Sequence, residues 1–135
     1  MGFFVWKDQF SVNNNELDRQ HQHFFKHLND LSEAIGRADS LECFREAIEE
    51  LYSYASRHFA DEEAYLTLVG YPKIDEQRNQ HAFFKSQVFM FEKNLQDNGI
   101  DGFNHILVFM RDWFLQHILE SDQEYARFVA ASQQA

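Results

Sequence analysis

Residues 44–66, FREAIEELYSYASRHFADEEAYL, decide the fold of this chain. Phe44, Ile48, Leu51, Tyr54, Ala55, Tyr65 and Leu66 recur at the three- and four-residue spacing of one helix face. His58 and Glu62 stand in the same stripe, one turn apart. An imidazole and a carboxylate turned into an apolar core cost free energy unless something there binds them. The stretch therefore specifies a long helix whose buried face carries two polar groups in need of partners.

The same pattern recurs on either side. A first helix spans about residues 16–35, with Phe24, Phe25, Leu28, Leu31 and Ile35 as its stripe and Gly36 as its stop. The residues before it lack periodicity and read as an extended arm, with Asn13, Asn14 and Asn15 as a loop. Asp39 and Glu42 form a capping box opening the second helix, which Gly70-Tyr71-Pro72 ends. A third helix starts near Lys73, carries Ile74, Phe84, Val88, Phe91 and Leu95, and stops at Asn98-Gly99. Asp101 caps a fourth, with Phe103, Ile106, Leu107, Met110, Trp113 and Phe114 as its stripe. After Asp122 a short terminal turn or helix packs through Tyr125 and Phe128. Short connections between long helices favour antiparallel neighbours. The expectation is all-α: an up-down-up-down antiparallel four-helix bundle with an extended N-terminal arm, one domain over residues 1–135.

Composition agrees. Fifteen Phe against one Pro and five Gly suit long, tightly packed helices. The net charge of -10 argues against nucleic acid or an anionic membrane as partner. Cys43, the single cysteine, allows no intrachain disulfide and no thiolate metal cage. The N-terminus lacks the basic and apolar regions of a secretory signal, and no run has the roughly 18 apolar residues of a membrane span. The expected location is cytoplasmic.

Helical phase sorts the polar residues. His21 falls in line with Phe24, Phe25 and Leu28, Gln77 and His81 with Ile74, Phe84 and Val88, and His117 with Met110 and Trp113. His23 and His27 lie on roughly the opposite side of the first helix, and they and His105 read as solvated. Asp61 and Glu63 flank the His58 and Glu62 face, with Glu63 turned away. Asp122, five residues past His117, can meet it only if the helix ends, kinks or carries a π-bulge there. Taken singly, a core histidine is most simply bonded to a neighbour, and His58 with Glu62 is a structural ion pair. Arriving together on four helices, these groups describe one shared metal site. Imidazole with carboxylate suits iron, zinc or manganese. There are too many ligands for one tetrahedral ion, and two ions bridged by carboxylates fit better.

In order along the chain, VWKDQFSV at 5–12, LDRQH at 17–21, HFADE at 58–62, the segment ending at His81, and Trp113 through His117 to Asp122 resemble the bacterial hemerythrins over nearly the full length. That resemblance implies two oxo- or hydroxo-bridged iron ions and reversible binding of dioxygen, for storage, delivery or sensing. It implies one iron on His21 and His58, and a second on position 77, His81 and His117. Glu62 and Asp122 would bridge them, and Phe24, Phe59, Trp113, Phe114 and Ile118 would wall an apolar oxygen pocket. Their ordinary role in core packing holds at the same time. The chain departs from the family at Gln77, where a histidine is usual. Three roles fit an amide there: iron ligand, neighbour of a water that replaces the ligand, or hydrogen-bonding group beside the metal. An opened coordination position would favour a diiron peroxidase or oxidase instead of a carrier. A sensing module with a protein partner of unknown kind is the third reading. The ferritin-like class is disfavoured, because its repeated Glu-x-x-His pairs are absent from the sequence.

Overall fold

The computed structural model describes residues 5–34 and 40–134. Ile35, Gly36 and Asp39, expected to end the first helix and cap the second, lie outside the described residues. Helix α1 spans Asn15–Ala34, α2 Ser40–Leu68, α3 Ile74–Lys93 and α4 Leu95–Gln116. From α4 the chain passes through a π-helical turn, His117–Asp122, directly into α5, Gln123–Gln134. Helix α1 packs on α2, α2 on α3, α3 on α4, and α4 back on α1. That ring is an antiparallel four-helix bundle whose fourth member is prolonged by α5.

Two apolar clusters fill the ring. The larger joins Phe24, Phe25, Leu28, Phe44, Ile48, Phe84, Val88, Phe103, Met110 and Phe114 from all four helices. The smaller gathers Val12, Leu17, Leu66, Tyr71, Tyr125 and Ala126 beneath α5. The polar site lies between them.

Local chemistry sets the boundaries. The Asn14 side-chain oxygen accepts from the Leu17 N–H at 3.1 Å, so it caps α1. Gly70 takes φ 71°, and the Tyr71 N–H returns to the Leu66 carbonyl at 3.0 Å, closing α2 with a left-handed residue. The arm contains one 3-10 turn, Asp8–Phe10, and buries Phe10 and Val12. Asp18 holds it down, accepting from the Ser11 hydroxyl at 2.6 Å and the Val12 N–H at 2.8 Å.

One boundary differs from expectation. The third helix ends at Asn94, not at Asn98-Gly99, and the backbone is again helical from Leu95 through Asp101. Asn94 closes α3 with its own N–H on the Met90 and Phe91 carbonyls and its side-chain amide on the Met90 carbonyl at 3.0 Å. Gly within a helix costs only about 1 kcal/mol relative to Ala, which packing readily offsets.

Candidate metal centre

Each helix of the ring presents polar groups to one buried point. Helix α1 supplies His21, α2 His58 and Glu62, α3 Gln77 and His81, and the π turn both His117 and Asp122. All seven are at most 3 % exposed. The π turn answers the spacing problem. Its wider register brings side chains five residues apart onto one face, and His117 Nε2 sits 3.1 Å from Asp122 Oδ1.

The two carboxylates divide the imidazoles into pairs. Glu62 Oε1 lies 2.9 Å from His81 Nε2 and 3.8 Å from His117 Nε2. Glu62 Oε2 lies 3.4 Å from His21 Nε2 and 3.8 Å from His58 Nε2. Asp122 repeats the division, with Oδ1 toward His117 and Oδ2 3.4 Å from His21 Nε2. Two clusters with ligand-type atoms within 4.8 Å of one another follow: His21, His58, Glu62, and Glu62, His81, His117. The phases that placed these residues inward are matched by their burial.

Sequence reasoning missed the residues behind them. His58 Nδ1–H donates to Gln20 Oε1 at 2.7 Å, His81 Nδ1–H to Glu63 Oε2 at 2.8 Å, and His117 Nδ1–H to Gln80 Oε1 at 2.6 Å. Gln80 also accepts from the Ser121 hydroxyl, and Gln20 donates to Glu16 and Asp61. Tyr125 on α5 donates its hydroxyl to Glu62 Oε2 at 2.8 Å. Glu63 is thus not simply turned away, and Asp61 is not merely solvated. Adjacency held the signal: Gln20, Glu63 and Gln80 each neighbour a buried group in sequence, so they flank the inward face. His21 differs, since its Nδ1 has no hydrogen-bond partner. His23 is exposed and His27 half-buried, both against Tyr54 outside the site, and His105 is exposed.

A proton on Nδ1 leaves the lone pair on Nε2, which faces inward. Burial and electrostatics then set the charges. Burial holds His58 down to about 3, against the attraction of Glu62. At His117 burial also disfavours the charge, but Asp122 and Glu62 prevail and raise it to about 10. Burial would raise Glu62, yet the surrounding imidazoles, His58 foremost, keep it well below the ordinary carboxylate range. Burial and the neighbouring carboxylates push the Tyr125 hydroxyl well up, so it stays a donor.

Protein contacts do not satisfy this set. His21 Nε2, His58 Nε2, Glu62 Oε1 and Asp122 Oδ2 are buried without an aligned hydrogen bond, as is Gln77 Oε1. The Nε2 atoms of His81 and His117 face each other at 3.2 Å, an arrangement that needs a proton or a cation between them. Lone pairs converging from imidazoles and carboxylates are what a pair of divalent cations satisfies, and the proton that His117 holds is released when its Nε2 binds one. The residues present fit such a group.

Aromatic rings wall the site. Phe59 stacks on His81 at 4.0 Å, Trp113 on His117 at 4.6 Å, and Phe24 on Phe114 at 3.9 Å, with Phe114 5.7 Å from His21. Ile118 is fully buried beside them. Two surface grooves reach the outer edges of the site: one of about 540 Å³ reaches His58 past Gln20, and one of about 190 Å³ reaches His117 past Gln80 and Trp113.

The hemerythrin HHE cation binding domain matches residues 12–129. A bacteriohemerythrin of Clostridium acetobutylicum is 33% identical over 126 residues, covering 90% of this chain and 98% of that protein. A myohemerythrin of Riftia pachyptila is 28% identical, covering 90% of each. A crystal structure of a hemerythrin mutant superposes with a TM-score of 0.83 at 22% identity, over 94% of this chain and 97% of that one, which shows the shared fold.

Proposed function

This chain belongs to the hemerythrin family, and we propose how its own residues build the site that membership implies. It is a non-haem diiron protein that binds dioxygen reversibly. One iron would be held by His21 and His58, the other by His81 and His117 with Gln77 beside them, and Glu62 and Asp122 would each offer one carboxylate oxygen to either half. The observation that carries this assignment is the division of four imidazole nitrogens and four carboxylate oxygens into two facing clusters. When bound, the iron pair supplies the electrons and the coordination position that dioxygen needs.

The chain supplies the rest. Gln20, Glu63 and Gln80 fix three imidazoles as Nδ1–H tautomers, so that Nε2 points inward before any metal arrives. Tyr125 fixes the rotation of Glu62. Phe24, Phe59, Trp113, Phe114 and Ile118 form the oxygen pocket, and their packing keeps bulk water from the reacting atoms. Exclusion of water preserves a reversible cycle, because a charged reduced product is poorly solvated there. The relatives do not favour the peroxidase, oxidase or signalling readings. No helix among the described residues is long and apolar enough to cross a membrane. We read residues 1–135 as one domain of a cytoplasmic protein, whose net charge of -10 disfavours nucleic acid as a partner.

An anaerobic sample, reduced and iron-loaded, is titrated with air and followed by visible absorption. A band that forms with oxygen and disappears on its removal is expected. One irreversible change on first contact contradicts reversible binding.

A further inference from the structure

We infer that Gln77 is itself a metal ligand, coordinating through its side-chain amide oxygen the cation held by His81 and His117. The inference rests on the diiron assignment and adds a residue to it. Gln77 is 2 % exposed and stands one turn before His81 on α3, so its amide reaches the same end of the site. Its Nε2 donates to Asp122 Oδ1 at 3.1 Å. A carboxylate only accepts, so the nitrogen must face Asp122, and this fixes which way the amide is turned. The oxygen is then the other end of the amide, buried and without a hydrogen-bond partner.

Two features give that orphan oxygen its meaning. Gln77 Oε1 shares its condition with His21 Nε2, His58 Nε2, Glu62 Oε1 and Asp122 Oδ2, four donor atoms of the proposed pair, and with His21 Nδ1, which is not one. A buried amide oxygen left unpaired carries a desolvation penalty, and a cation removes it. Its place is also on the correct half: Asp122 Oδ1, which anchors the amide, is the oxygen 3.1 Å from His117 Nε2. Amide oxygens are hard ligands that suit hard divalent cations. The amide adds no charge, so the carboxylates alone offset the cations. A neutral ligand tethered by its own NH2 is held in place yet is displaced more readily than an imidazole.

Three variants test the assignment through iron release to a chelator from the ferrous-loaded protein, without reference to oxygen binding. Gln77→Glu keeps an oxygen at the same reach but removes the NH2. Gln77→Asn keeps the whole amide but withdraws it by one methylene. Gln77→Leu removes both. Gln77→Glu should release iron no faster than wild type, whereas Gln77→Asn and Gln77→Leu should release one of their two irons at least about 10-fold faster. If Gln77→Leu does not fold, Gln77→Asn, which keeps the buried polarity, decides alone against Gln77→Glu. Release at the wild-type rate from Gln77→Asn and Gln77→Leu places the amide outside the coordination shell. Fast release from Gln77→Glu as well makes the NH2 on Asp122 the only contribution. Either result overturns the inference and leaves the diiron reading standing. A wild-type protein that takes up no iron overturns both.

Discussion

His58 and His81 show how a buried imidazole is prepared for its task. Each meets Glu62 through Nε2 and is fixed at Nδ1 by a side chain adjacent to another inward residue. Removal of such a partner typically costs 10- to 100-fold in metal affinity. Gln20→Leu and Gln80→Leu should therefore each weaken iron retention by about 10-fold or more, as read by chelator competition. Retention equal to wild type would mean that these amides only fill space. Glu62→Ala should be worse in kind: it removes an oxygen from both clusters, so both irons are lost and the iron-loaded melting temperature falls. Glu63→Ala removes only the brace behind His81 and should weaken retention without abolishing it. Equal damage from the two would contradict the facing of α2.

His58 also sets a pH response in the iron-free protein. Burial lowers it to about 3, below the unfolded value near 6.5. The unfolded chain thus binds a proton there that the folded chain does not, and stability is lost as pH falls across this window. Between pH 6 and pH 5 the loss is about 1 kcal/mol. His117, raised to about 10, is already charged in the fold and largely charged unfolded in that window, so it contributes little. Chemical denaturation of iron-free protein at the two pH values measures the difference. A stability that rises toward pH 5 would contradict it.

At the scale of elements, the π turn is the part that a linear pattern conveys least directly. The sequence implied it only through a mismatch, since Asp122 stands five residues after His117 where a regular helix would turn it away. A π turn amounts to one residue inserted in an α-helix, and deleting a residue there restores the α register on both sides. Leu119 is exposed within that turn. Its deletion should leave a helix in which His117 and Asp122 still share a face, with iron bound at reduced affinity. Deleting the exposed Asp61 instead rotates every later residue of α2, including Glu62 and Leu66, by about 100°, and should abolish iron binding. Iron analysis of the two deletions decides this; an opposite order would show that the π geometry itself is required. The end of α3 was misplaced for a related reason. Asn98-Gly99 is the conventional stop, but Asn94 can close a helix with its own side chain, and no local rule ranks one above the other.

Across the whole molecule, legibility follows periodicity. The four helices and six of the seven inward polar residues repeat or interrupt an apolar stripe, so the chain itself announces them; Asp122 is the exception, brought inward by the π turn. Gln20, Glu63 and Gln80 lie at the border of their stripes and Tyr125 reads only as a packing residue, and only the packing of a neighbouring helix turns each into a partner. The arm illustrates the same limit: Asp18 is a plain acidic residue in sequence, and its two bonds to Ser11 and Val12 exist only once the arm has folded back. This bundle is proposed to be built around two iron ions that Glu62 and Asp122 would bridge. The most direct test is the iron content of wild-type protein loaded anaerobically with ferrous iron and freed of unbound metal. Two irons per chain are expected; one iron, one zinc or no retained metal would rule out the diiron centre.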